Sequence, residues 1–261
     1  FEQLGLEPPQ APEPRLIQFE RQMEVVLDEN APIFSFTFGI PDPPFLKVLK
    51  QKKMTIIGTA TTVAEARALA DAGVDAIVAQ GSEAGAHRGS FMRPLEESLV
   101  GGLALVPQAV DAVPVPVIAS GGIMDGRGII AARALGAAGV QMGTAFLTCA
   151  ESGASQAYKD AVCAAGDDAT TLTRAFSGRL ARGIVNSFID QLEPYESAFL
   201  PFPLQNSLTR PLRTAAAKKG DTRYMSLWAG QAASLARPLP ARELIDLLVR
   251  EAAEALSAMN R

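Results

Sequence analysis

Residues 116–147 read PVIASGGIMDGRGIIAARALGAAGVQMGTAFL, and this stretch decides the expected fold. VPVIASGG (115–122) is an apolar run that ends in a glycine pair, the pattern of a buried strand followed by a tight turn. DGRGIIAARALGAAG (125–139) follows with helical spacing and a glycine stop, and VQMGTAFL (140–147) reads as the next strand. Within it, ARALGAAGV (132–140) echoes ARALADAGV (66–74) at a spacing of 66 residues, room for two βα units of about 30-odd residues each. In both copies a helix ends at glycine and a strand begins.

The same alternation extends upstream. PIFSFTFG (32–39), MTIIGTA (54–60) and VDAIVAQG (74–81) read as strands, and PDPPFLKVLKQKK (41–53) as a short helix opened by prolines. TVAEARALADAG (62–73) is a helix with Thr62 and Glu65 in capping-box spacing and Gly73 as its stop. Residues 82–96 read as a loop, and LVPQAVDAV (105–113) as a helix. Five strands, apolar on both faces and alternating with helices, predict a parallel sheet covered by helices. Ahead of them, PRLIQFERQMEVVLDEN (14–30) places Leu16, Phe19, Met23 and Val26 at helical spacing.

After residue 150 the pattern changes. ESGASQAYKDAVCAAGDD (151–168) looks helical, and TTLTRAFSGRLARGIVNSFIDQL (170–192) mixes strand and helix signals. LPFPLQNSLTRPLRTAAAKKGD (200–221) reads as a loop with a short helix. ARELIDLLVREAAEALSAM (241–259) is a clear amphipathic helix. No low-complexity linker intervenes, so 1–150 and 151–261 are expected to form one domain, a sheet-and-helix part with a helical extension packed on it.

Composition excludes several function classes. Of 261 residues, 48% are hydrophobic and 20% charged, with a net charge of −4 and no basic block, which argues against nucleic acid as a partner. The longest uncharged runs are broken by Gly and Pro, so no membrane span is expected. Two cysteines, Cys149 and Cys163, fit no disulfide framework or zinc motif; both are expected as small core residues in a reducing, cytoplasmic compartment. One histidine cannot build a His-rich metal site, so no metal is expected. The opening FEQLGLEPPQAPEP (1–14) reads like the interior of a longer protein.

Chemistry concentrates at the strand ends. GSEAGAHRG (81–89) holds the chain's single histidine, His87, just past a strand. Gly121 with Gly122, and Gly143 with Thr144, form two glycine turns on successive βα units, suited to backbone contact with a phosphate. Such turns after the last two strands of a (β/α)8 barrel form that fold's phosphate site. Glu83 and Arg88 read as solvated loop charges or an ion pair holding the loop. Trp228 and Tyr224 in YMSLWAGQ (224–231) read as packing residues or as a substrate-side wall.

AIVAQGSEAGAHRG (76–89), the 116–147 stretch, FSGRLARG (176–183) and LWAGQ (227–231) together resemble the nitronate monooxygenase family, formerly 2-nitropropane dioxygenases. The resemblance implies an α/β fold of the TIM type, a (β/α)8 barrel that binds FMN. The five strands match its fourth to eighth, and three earlier βα units, roughly 90–100 residues, have no counterpart. By resemblance, Gln80 and Gly85 border the flavin and its ribityl chain. Gly121, Gly122, Gly143 and Thr144 hold the FMN phosphate, with Gln141 and Met142 alongside. His87 faces the substrate, as an imidazolium beside the nitronate anion or as a base toward a neutral nitroalkane. Ala86 stands where many relatives carry glycine. The implied reaction oxidises alkyl nitronates or nitroalkanes with O2 to carbonyl compounds and nitrite. Two alternatives accompany it: an FMN-dependent NAD(P)H reductase of the enoyl-acyl-carrier-protein or quinone type, and an inactive, incomplete barrel.

Overall fold

The computed structural model describes residue 1, residues 5–7 and residues 19–259. In chain order, α1 (Phe19–Asp28), β1 (Ile33–Phe36), α2 (Pro43–Gln51), β2 (Thr55–Ala60), α3 (Val63–Asp71) and β3 (Ala76–Gln80) open the fold. The two-residue strand β4 (Ala86–His87) follows, then α4 (Gly102–Ala112), β5 (Val117–Ser120), α5 (Gly126–Ala134), β6 (Gly139–Gln141) and α6 (Thr144–Leu147). The second part carries α7 (Gln156–Cys163), β7 (Thr170–Thr173), β8 (Ala181–Ile184), α8 (Ser187–Leu192), α9 (Leu204–Lys219) and α10 (Ala241–Met259).

The five expected strands form one parallel sheet in the order β1-β2-β3-β5-β6. Each strand pairs with its predecessor in this sheet and the order never reverses, which is the arrangement of a barrel arc and not of a doubly wound sheet. The main core lies between the strands and α2–α5, where Leu49, Ile56, Leu69, Ile77 and Leu105 are fully or almost fully buried. At α10, Leu244 and Leu248 pack on Met124, Ala145 and Cys149.

The short elements depart from expectation in informative ways. The strand expected over 140–147 ends at Gln141, because Gly143 turns the chain and Thr144 opens α6. The loop expected over 82–96 is not free: Ala86 and His87 pair antiparallel with Arg182 and Ala181 of β8, and Leu95–Ser98 forms a 3-10 turn. With β7, this makes a three-stranded antiparallel sheet, so the second part is not purely helical. The helix expected over much of 151–168 is confined to α7. Conversely, α4 starts three residues earlier than expected, and α9 runs for 16 residues straight through Pro211. Gln205, Thr209, Leu212 and Ala216 form its buried stripe, and that tertiary packing outweighs the proline's lost amide bond. Leu16 lies outside the described residues. Cys149 is buried as expected, whereas Cys163 is exposed at the end of α7.

The capping box is only half formed, and the other half does something else. Thr62 Oγ1 accepts from the Glu65 amide at 3.3 Å, but the Glu65 carboxylate does not reach back to Thr62. Fully buried, it accepts from the amide and hydroxyl of Thr61, both at 2.7 Å, and from Ser90 Oγ (3.1 Å), Phe91 N (2.6 Å) and Met92 N (3.1 Å). Burial alone would raise its pKa. The hydrogen bonds from Phe91, Thr61 and Met92 overcome that and hold it below the usual carboxylate range.

Replacing Glu65 with alanine leaves three backbone donors without their acceptor, that of the fully buried Thr61 among them, and is expected to cost about 3 kcal/mol in denaturant unfolding. Because its folded pKa is depressed, the stabilisation it confers is complete above the ordinary carboxylate range and is lost as pH falls through the folded value. The alanine variant is therefore expected to lose part of the wild type's acid sensitivity, which unfolding measured as a function of pH reads directly.

Candidate active site

Three strand ends converge on one cavity of about 540 Å³. Gln80 is the last residue of β3, Gly121 and Gly122 follow β5, and Gln141, Met142, Gly143 and Thr144 close β6 and open α6. All seven line the cavity, as does Gly85, so the structure brings together every residue expected at the cofactor. Gly121 and Gly122 have left-handed backbones (φ +104° and +71°), and a Cβ on Gly121 would fall 2.9 Å from the Ala84 amide nitrogen. A Cβ on Gly143 would enter open space, so that turn leaves room on the cavity rim. Behind it, the Phe146 amide donates to the Gly143 carbonyl at 3.0 Å and closes the short turn of α6.

Other members of this set build the wall itself. At Gly85 a Cβ would lie 2.6 Å from the Ala229 carbonyl carbon and 2.7 Å from the Gly230 nitrogen, so the missing side chain lets 229–230 close over the turn. Thr144 Oγ1 accepts from Gly230 N at 3.0 Å, and Gln231 N donates to the Glu83 carbonyl at 2.9 Å. Gln80 donates from Nε2 to the His87 carbonyl (3.1 Å), and its Oε1 accepts from Gly89 N (2.8 Å).

His87 stands beside this cavity rather than on its wall. Its neighbour Ala86 lines the cavity, as does Trp228, whose ring centroid is 5.6 Å from the imidazole. Phe38 and Phe202 face the same ring at 6.1 Å and 5.7 Å, and both are partly exposed. Two strained backbones bracket the site: Phe38 and Ala86 have φ of +72° and +62°. The Ala86 value is one that glycine adopts without strain. His87 Nε2 lies 2.8 Å from the buried Ser177 hydroxyl.

The surroundings oppose a charge on the imidazole. Burial first, then the positive charges of Arg179 and Arg213, push the His87 pKa down to about 4. At neutral pH it is therefore a neutral imidazole, and the free site does not hold the imidazolium that was one of its two expected forms. Arg179 donates to the Arg88 and Ser90 carbonyls and lies 4.1 Å over the Phe38 ring. Arg213, on α9, donates to Asn206 and Ser226, and its Nε is buried without a partner.

Arg88 and Glu83 do hold the loop, but neither as solvated charges nor as an ion pair. The fully buried Arg88 guanidinium donates to the carbonyls of Gln80 (3.0 Å), Gly81 (2.6 Å) and Ser98 (2.8 Å). Glu83 accepts from the Gly102 amide at the start of α4, at 2.8 and 2.9 Å. Tyr224 packs in the second core with Phe176 and Phe188; Trp228 packs on Phe176 as well, lines the cavity and faces the imidazole. Phe38, Ser177, Arg179, Phe202 and Arg213 escaped the sequence reading. Of these, Ser177 and Arg179 lie in FSGRLARG, one of the stretches that carry the family resemblance. Among the described residues, no cluster of potential ligands could hold a metal ion, and no helix is long and apolar enough to cross a membrane.

Comparisons with known proteins converge on one family. A family model described as nitronate monooxygenase matches residues 3–251. A probable nitronate monooxygenase of Staphylococcus aureus (strain MSSA476) is 48% identical over 235 residues, which cover 90% of this chain and 66% of that protein. The chain thus spans about two thirds of the length of the curated relatives it matches. The nitroalkane oxidase from Streptomyces ansochromogenes superposes with a TM-score of 0.92 at 42% identity, covering 99% of this chain and 74% of that one. FabK from Thermotoga maritima superposes with a TM-score of 0.81 at 30% identity, over 94% of this chain and 76% of that one. The chain belongs to the nitronate monooxygenase family, whose members are FMN-dependent oxidoreductases.

Proposed function

We propose that this chain oxidises alkyl nitronates and nitroalkanes with O2, using FMN, and releases carbonyl compounds and nitrite. The observation that carries this reading is the adjacency of a glycine-lined cavity and the His87 imidazole, with Trp228 in contact with both. FMN fits the cavity on three counts. The volume lies within the range of small-molecule sites. The open space at Gly143 allows close backbone approach, and the left-handed Gly121–Gly122 turn packs on Glu83 and Ala84 to shape the wall. Gln80, Gly85, Gln141, Met142 and Thr144 complete the lining. We assign the phosphate to Gly121, Gly122, Gly143 and Thr144, and the ring and ribityl side to Gln80 and Gly85.

When bound, FMN supplies the electron-transfer chemistry between the organic substrate and oxygen. The chain's own residues bind and orient. Arg179 and Arg213 resist protonation of His87, and the same positive potential favours an anion beside the imidazole. Phe38, Phe202 and Trp228 supply an apolar surround for an alkyl group. His87 offers a lone pair to an acidic proton and becomes easier to protonate once an anion occupies the site. An FMN-dependent NAD(P)H reductase would need a nicotinamide, which makes the assay below discriminating.

We further propose that β1, β2, β3, β5 and β6 are the fourth to eighth strands of a (β/α)8 barrel. Their unreversed order supports this. Residues 1–150 and 151–261 then form one domain, with α10 packed on α5 and the Glu251 carboxylate accepting from the Gly126 amide at 3.1 Å. Two free thiols suit a reducing, cytoplasmic setting.

Nitrite release from an aerated alkyl nitronate, without nicotinamide, tests the activity. On a neutral nitroalkane, H87N is expected to keep the fold and lower kcat/KM about a hundredfold or more. NADH consumption without nitrite would replace this reading with a reductase. A second test uses the single histidine, whose ring signals need no assignment. Their pH titration is expected to have its midpoint near 4, and a midpoint near 6.5 would contradict the buried, cation-flanked environment. With the folded pKa depressed, the unfolded chain binds the proton first, so this group lowers stability as pH falls from 6.5 toward 4.

A further inference from the structure

We infer that Ser177 is a positioning residue for His87: its hydroxyl fixes the imidazole as the Nε2–H tautomer and leaves Nδ1 as the nitrogen available to the reactant. The inference rests on the reading that His87 serves the reaction.

Hydrogen-bond accounting at one atom carries it. A serine hydroxyl has one proton to give and two lone pairs. Three groups surround Ser177 Oγ: the Arg179 carbonyl at 3.0 Å, the Arg179 amide at 3.3 Å and His87 Nε2 at 2.8 Å. The amide can only donate and the carbonyl can only accept. Giving the hydroxyl proton to the carbonyl leaves two lone pairs for two donors, the Arg179 N–H and His87 Nε2–H, and every capacity is used. Giving it to Nε2 instead leaves the Arg179 carbonyl without its Ser177 donor, beside a serine that is only 1% exposed. Full satisfaction selects the first arrangement.

The backbone holds the pair in register. His87 lies opposite Ala181 in the β4–β8 ladder, and Arg88 N donates to the Leu180 carbonyl at 3.0 Å, so the 177–181 turn and the His87 strand are one unit. Arg179 strengthens this through its bonds to the Arg88 and Ser90 carbonyls. The remaining neighbours of the ring, Phe38, Phe202 and Trp228, contact it through aromatic faces and edges, and Nδ1 has no hydrogen-bond partner among the described residues.

The consequence falls on one of the two substrate forms. A neutral nitroalkane must lose its α-proton: the C–H bond breaks, the electron pair stays on the substrate as the nitronate, and the proton forms a new bond to Nδ1. Throughout, Nε2–H remains donated to Ser177. A preformed nitronate needs no such transfer, so loss of the hydroxyl should affect the two forms unequally.

The test is a long-range proton–nitrogen correlation spectrum of the full chain, purified with the flavin it carries and labelled with ring-nitrogen histidine, at neutral pH. One imidazole gives one pair of nitrogens. The expected pattern is protonated Nε2 and bare Nδ1 in the wild type and in S177T, with a mixture of tautomers in S177A. In turnover, S177A is expected to lose about tenfold in kcat on a nitroalkane while retaining kcat on its nitronate. A protonated Nδ1 in the wild type, or an unchanged pattern in S177A, overturns the inference. The wild-type spectrum decides the tautomer even if S177A does not fold. The correct tautomer in a chain that releases no nitrite would fault the proposed function and leave the role of Ser177 in fixing the tautomer intact. Nitrite release with the wrong tautomer would do the reverse.

Discussion

The site rests on two buried charges that have exchanged water for backbone. Arg88 reaches under the His87 turn to three carbonyls, and Glu65 gathers the amides on the far side of the same turn. Each would be costly to bury alone. Burial pushes the Arg88 pKa down to about 10, partly offset by Glu65 and Glu83, so it stays charged at neutral pH. Between them they convert a segment rich in small residues into a rigid edge that can pair with β8. Without that rigidity His87 would have no fixed relation to the cavity or to Ser177. The strain at Ala86 and Phe38 shows the cost of holding this geometry, and it is concentrated beside the imidazole.

Much of this architecture was legible in the chain because its causes are local. The parallel strands follow from apolar runs punctuated by glycine, and the Gly121–Gly122 and Gly143 turns from backbone requirements that only a few residues meet. The amphipathic 241–259 segment emerged as α10 with its predicted bounds. What stayed hidden depends on distance. Glu65 sits in capping-box spacing, yet its carboxylate serves residues 61 and 90–92, a choice that no local rule contains. Pro211 argues against a long helix until the buried stripe around it is seen. The imidazole's neighbours come from residues 38, 177, 202 and 228, which only the folded chain assembles.

That distance dependence also changes the chemistry attributed to His87. An isolated imidazole beside an anionic substrate invites an imidazolium. Placed among aromatic rings and two guanidinium groups, the same imidazole is neutral, and the positive potential resides in Arg179 and Arg213 instead. Attraction for an anion and acceptance of a proton are then carried by different residues. Gly85 and Thr144 illustrate a related point: both line the cavity, and both also seat the 229–231 segment that closes it.

The central claim is that these residues form a flavin site. Its most direct test is the visible absorbance spectrum of the desalted chain. The account predicts a flavin spectrum near one FMN per chain, retained on desalting or regained after incubation with FMN. A folded chain that stays colourless after desalting and takes up no added FMN would contradict it.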